Sequence, residues 1–150
     1  MPEPVPEVPF DPNLKVDVQG TEVGAYLRNR IETQQFDAFC IDCQNNRSSH
    51  CVVTFGIFVC ADCAYIHNYS FSMMANYTKS LFDESWDTFQ LSCVQKGGNQ
   101  RFFEFMKIYG KEREPIIKKY DTKAATYYRR RLVETACGKE FTEEVPAKNF

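Results

Sequence analysis

Apolar residues recur at helical spacing in four stretches of the chain and at strand-like density in two. Thr21 can cap a helix reaching about Phe39, with Val23, Leu27 and Ile31 spaced by four and Tyr26 beside that stripe. Residues 51–59, CVVTFGIFV, are β-branched and aromatic and predict a strand, interrupted at Gly56. A short helix after Cys63 and a second strand near Met74–Leu81 are expected next. Asp83 can cap the following helix, which carries Trp86, Phe89 and Cys93 on one face and stops at Gly97–Gly98. Asn99 opens a helix in which Phe102, Phe105, Met106 and Tyr109 repeat at three and four, an ordinary core-facing stripe. Pro115 suits the first turn of a short helix through Lys119. Asp121 can cap the last helix, with Ala124, Ala125, Tyr128 and Leu132 inward and Gly138 as its stop.

Both ends depart from this pattern. Residues 1–20 hold five of the seven prolines and predict an extended, polyproline-like arm, of a kind that orders against a partner surface. Residues 141–150 read as an extended tail. Residues 21–140 between them are long enough for one packed domain. The expected fold class is α+β, with a short central β-sheet flanked by about five helices.

Composition narrows the function classes. A hydrophobic fraction of 43% with thirteen Phe argues for a real core. The net charge of −2 offers no basic face, so nucleic acid is not an expected partner. No run approaches the roughly 18 apolar residues of a membrane span. The N-terminus has neither the apolar core of a signal peptide nor the Arg-rich look of a transit peptide, which makes the cytoplasm the default location.

The cysteines carry the strongest chemistry. Cys40/Cys43 and Cys60/Cys63 are two Cys-x-x-Cys pairs with sixteen residues between them, the spacing of a structural zinc site. Each pair forms a tight knuckle offering two thiolates to one ion. Four thiolates at about 2.3 Å close a tetrahedron and leave no position for substrate or water. The metal is therefore read as an organiser of the fold. A rubredoxin-type iron site usually has Gly after the second cysteine of each knuckle, where Gln44 and Ala64 stand here. A disulfide framework would want some mark of secretion, and none is present. Cys51, Cys93 and Cys137 remain outside the pattern, Cys51 as a small core residue.

The ordered series CIDC, VTFGIFVCADC with His67 four residues on, the Ser80–Trp86 segment, KGGN (Lys96–Asn99), the FFEF helix and KYDTKAATYYRRRL (Lys119–Leu132) resembles the Arf GAP family, the GTPase-activating proteins of ADP-ribosylation factors. The resemblance covers roughly residues 22–140. It implies a four-cysteine zinc finger beside a small sheet flanked by helices, and an Arf-family GTPase as partner. The family supplies an arginine to the nucleotide site, with four residues between it and the last zinc cysteine. A guanidinium there stabilises the charge that spreads over the transferring phosphoryl oxygens, worth about 10³–10⁵ in rate.

At that position this chain has Asn68, and no catalytic residue is assigned. An amide donates a hydrogen bond but carries no charge. The residues that follow the family's arginine are also replaced, by Tyr69, Ser70 and Phe71. His50 stands where the family has a loop Trp, and Lys79 where it has a second Arg. No Arg occurs between Arg47 and Arg101, so a slip in register cannot restore the finger. His67 reads as a packed histidine, His50 as a loop residue, and Arg129–Arg131 as a solvated run with Glu134 or Asp121 available to it. Arg47, in the loop between the knuckles, is the one nearby arginine, and reaching a nucleotide from there would require the site geometry to be remade.

Two functional readings follow. The preferred one is a degenerate, zinc-stapled interaction or structural module, bound to an Arf-like GTPase or held within a larger assembly that contacts the N-terminal arm. The alternative is a working GTPase activator of an Arf-family GTPase. Location would follow the partner: the Golgi or other endomembranes, or an organellar or cytoskeletal assembly.

Overall fold

The computed structural model describes residues 17–18, 20–83 and 85–148. The Pro-rich arm expected over residues 1–20 lies outside the described residues except at its end. There Asp17–Val18 (β1) pairs antiparallel with Trp86–Asp87 (β5). Helix α1 runs Gly20–Thr33 and α2 is a single turn, Gln35–Ala38, so the helix expected to Phe39 breaks at Gln34.

The predicted strand over 51–59 is two strands. His50–Val52 (β2) and Ile57–Val59 (β3) pair antiparallel and are joined by a 3₁₀ turn, Val53–Phe55. Gly56 closes that turn at φ +61, a conformation L side chains avoid. Thr78–Ser80 (β4) pairs with the other side of β2, giving the sheet order β3-β2-β4. Met74 falls in a turn outside the short β4. His50 therefore opens the central strand and is not a loop residue.

Side chains alternate across this sheet. Val52, Ile57 and Val59 enter one core with Phe102, Phe105, Met106, Tyr120 and Tyr128. Cys51 and Phe58 enter the other with Val23, Leu27, Leu81, Trp86, Leu91 and Cys93. Both faces are covered, which is why the segment reads as a continuous apolar run. Burial drives the Cys51 thiol well above its ordinary range, in keeping with a core residue.

Helix α3 spans Ala61–Ser70, α4 Thr88–Lys96, α5 Asn99–Ile108, α6 Ile116–Lys119 and α7 Lys123–Ala136. Two expected caps shift by a few residues. Asp87 caps α4 in a full capping box with Gln90, while Asp83 accepts from the Ser85 amide and hydroxyl in the preceding turn. Trp86 thus sits on β5, fully buried, and not in the helix. Thr122, not Asp121, caps α7 by accepting from the Ala125 amide at 3.0 Å.

The Gly pair before α5 has a packing reason. A Cβ on Gly97 would lie 2.8 Å from the Gly56 Cα, and the Gly98 amide donates to the Gly56 carbonyl at 2.8 Å. Asn99 then ties three segments together. Its side chain accepts from the Phe58 amide and donates to the Phe36, Phe39 and Phe58 carbonyls, while its amide donates to Asp37. Arg30 completes the clamp, pairing with Asp37 at 2.8 Å and donating to the Val94 carbonyl.

The arginine run on α7 is only partly solvated. Arg131 lies over the Phe105, Tyr127 and Tyr128 rings. Arg130 pairs with Glu143 of the tail, not with Glu134 or Asp121. Phe141 packs edge-on against Tyr127, and the Tyr127 and Tyr109 hydroxyls donate to the Glu143 and Pro146 carbonyls.

Candidate metal centre and the surface it positions

The four sulfurs of Cys40, Cys43, Cys60 and Cys63 all lie within 4.8 Å of one another. Metal–sulfur bonds of about 2.3 Å set a tetrahedron edge of about 3.8 Å. The Cys43 and Cys60 sulfurs are 3.8 Å apart, the edge such a tetrahedron requires. All-thiolate donors suit zinc, and with four of them no position stays open for chemistry.

Backbone geometry shapes each knuckle. The Gln44 amide returns to the Cys40 carbonyl at 2.9 Å with Gln44 at φ +59. Cys60 is the N-cap of α3, its sulfur accepting from the Cys63 amide. The Cys40 thiol is pulled down to about 5, first by the hydrogen bond from Cys63, then, against burial, by the amides of Cys43, Cys60 and Asp42. Cys63, the donor in that bond, is pushed the opposite way. The amides therefore favour sulfur anions before any metal contributes its charge.

Between the first two ligands, Asp42 points into the protein and is buried. It accepts from His67 Nε2, Lys119 Nζ and the Tyr120 hydroxyl, each at 2.8 Å. Asn76 Nδ2 donates to His67 Nδ1 at 2.8 Å, which fits the tautomer with its proton on Nε2. Burial pushes the Asp42 carboxyl up, but the His67 hydrogen bond and the Lys119 charge win and hold it below the usual carboxylate range. One carboxylate thus ties the metal loop to α3 and to the end of α6, and His67 carries the link on to Asn76 in the turn before β4. His67 is a packed histidine and no metal ligand.

This network carried little sequence signal. An acid between two ligand cysteines is a hint, but Lys119 and Tyr120 lie about eighty residues away, and only folding brings them to it.

Asn68 follows His67 on α3 and is exposed, its side-chain oxygen accepting from the Thr78 hydroxyl at 2.6 Å. Lys79 turns inward: its ammonium donates to the Ser85 carbonyl and to Gln90, and sits 5.4 Å from the Trp86 ring centroid. From Cys63 to Thr78 the chain has no Asp, Glu, Lys or Arg. Within that stretch Tyr65, Tyr69, Met73 and Met74 are 66–88% exposed, and the two tyrosine rings stack at 6.1 Å. The result is an uncharged apolar surface around Asn68.

A four-thiolate knuckle pair seated on a three-stranded sheet and enclosed by helices defines a class of zinc-stapled α+β domain. The family model described as "Putative GTPase activating protein for Arf" matches residues 26–140, and the chain belongs to this Arf GAP family. It is 32% identical over 104 residues to ADP-ribosylation factor GTPase-activating protein 3 of Bos taurus, a match covering 69% of this chain and 20% of that protein. Sporulation protein SPS18 of Saccharomyces cerevisiae is 32% identical over 97 residues, covering 62% of this chain and 31% of its own length. The chain therefore spans about a fifth to a third of these curated relatives. Among solved structures, a "putative GTPase activating protein for ADP ribosylation factor" from Cryptosporidium parvum matches with a TM-score of 0.68 at 15% identity, over 77% of this chain and 92% of that one. The Arf GAP domain of HIV-1 Rev binding protein matches at 0.53 and 18% identity, over 79% and 87%. These two likenesses concern the fold.

Among the described residues no helix is long and apolar enough to cross a membrane.

Proposed function

We propose that this chain uses the Arf GAP fold as a protein-binding module, with an Arf-family GTPase or a subunit of a larger assembly as its partner, and without an arginine finger. The observation that carries this reading is Asn68, exposed on α3 five residues beyond the last zinc cysteine and hydrogen-bonded to Thr78. A neutral amide cannot stabilise phosphoryl charge as a guanidinium does, and about 10³–10⁵ of rate goes with it. Lys79, the nearby cation in sequence, is turned into the core and committed to Ser85 and Gln90. In its place the zinc frame presents tyrosine and methionine side chains, residues enriched at protein interfaces and free of charge. An Arf-class partner would place the chain at the cytoplasmic face of the Golgi or other endomembranes.

Single-turnover GTP hydrolysis by a purified Arf-family GTPase tests the proposal. The wild-type protein is expected to leave the rate within about tenfold of the GTPase alone, and Asn68→Arg to raise it. An acceleration of about 10³ by the wild type would establish the alternative, a working activator that draws its charge from elsewhere.

A further inference from the structure

A second exposed surface lies away from the α3 tyrosines in the sequence and does not depend on the reading above. Phe36 and Phe39, one turn apart on and after α2, are 51% and 42% exposed. The Phe36 ring lies 6.5 Å from that of Phe103 on α5. Arg47 places its guanidinium 5.4 Å over the Phe39 ring, and Arg113 places its own 5.8 Å over Phe103. The Phe36–Phe103 pair and the Phe39 ring thus each carry an arginine.

Lys107 stands one helical turn beyond Phe103 and is exposed. Among the described residues none of Arg47, Lys107 and Arg113 has a carboxylate within ion-pair distance. The loop leading to Arg47, Gln44–Asn46, is exposed and uncharged. In a chain of net charge −2, two of these three cations, Arg47 and Arg113, stack on aromatic rings.

The ridge is held in place from beneath. Asn99 donates to the Phe36 and Phe39 carbonyls at 2.9 and 3.1 Å, and Phe39 pairs with Arg47 in an isolated β-bridge. A preformed surface loses little conformational freedom on binding. A guanidinium stacked on a ring keeps its N–H edge free, and that edge matches a carboxylate with two parallel hydrogen bonds.

We propose that the Phe36–Phe39–Phe103 ridge, flanked by Arg47 and Arg113, docks an acidic protein segment whose apolar side chains lie on the rings and whose carboxylates pair with the two arginines. An anionic membrane fits less well, because lipid recognition draws on clusters of about four to eight cations. Three stand here.

The probe is a phage-displayed library of random dodecapeptides selected on the zinc-loaded protein. Enriched sequences are expected to combine Leu, Phe or Trp with several Asp or Glu. A synthetic peptide of that consensus should bind the wild type in a salt-sensitive manner. It should bind about tenfold or more weakly to the Arg47→Glu/Arg113→Glu variant, to Arg113→Glu alone and to Phe36→Ser, all at unchanged zinc content and melting temperature. Selection of uncharged or basic peptides, no selection at all, or binding indifferent to the three variants overturns the proposal. Two further results replace it. One is arginine-dependent binding to phosphatidylserine vesicles without peptide binding. The other is self-association in sedimentation that Phe36→Ser abolishes, which would make the ridge a contact between copies of the chain.

Discussion

Asp42 and Lys119 offer a direct measure of how firmly the metal loop is tied to the helical layer. The pair is 2.8 Å apart with both side chains buried, and the same carboxylate also accepts from His67 and Tyr120. Replacing Asp42 by Asn leaves a buried ammonium without its counter-charge, a change that costs about 3–5 kcal/mol. That is a large share of the about 5–15 kcal/mol that holds a domain together. Lys119→Met should cost less, about 1.5–3 kcal/mol, because Asp42 keeps two donors while losing a charged one. In the double variant no buried ammonium is stranded, so its cost should fall short of the sum of the singles by about 1–3 kcal/mol. The assay is urea unfolding of the zinc-loaded proteins followed by circular dichroism, with metal content measured in each. A coupling below about 0.5 kcal/mol at full zinc occupancy would refute the account. It would mean that the loop is held by its metal alone and that the carboxylate is a passenger.

Removal of zinc should unfold the domain, since metal binding of about 10–16 kcal/mol is folding energy in sites of this kind. A melting curve unchanged by a strong chelator would rule out a structural metal. Gly97→Ala should cost about 3 kcal/mol, because the new Cβ would meet the Gly56 Cα and carbonyl oxygen at 2.8 Å, and both are backbone atoms. Gly110→Ala, at φ +66 with open space around it, should cost about 1 kcal/mol from backbone strain alone. Denaturant midpoints decide between them, and equal losses would count against close packing as the reason for the glycines.

The sequence and the structure agree where the controlling interaction is local. Four cysteines at knuckle spacing announce their chemistry because each pair closes within a few bonds and the excursion between them returns by a single hairpin. The stripe on α5 and the inner face of α7 follow from helical period, and their residues are buried as expected. Asp83 and Asp121 show the limit of the same logic. Each stands a few residues before a helix and has the right chemistry for a cap, yet Asp87 and Thr122 take the role. Position along the chain narrowed the helix starts to a few residues; only the backbone path chose among them.

Other features had no local signature. Trp86 belongs to an apolar periodicity that suits a helix, but it pairs with Val18, some seventy residues earlier, and so joins a strand. Lys79 keeps a cation at a position where the resemblance places an arginine, and whether it faces solvent or the Trp86 ring is a matter of packing. Arg130 and Arg131 are adjacent in an evidently basic run, yet one pairs with Glu143 and the other covers three aromatic rings. By itself, then, the sequence determined the metal frame, the main helices, the membership of the core and the lack of any Arg between Arg47 and Arg101, because each rests on residue identity or short-range period. The tertiary structure decided which buried charges meet, which cations remain free and which aromatic rings reach the surface. Those depend on distances between segments far apart in the chain, and no spacing along the chain encodes them.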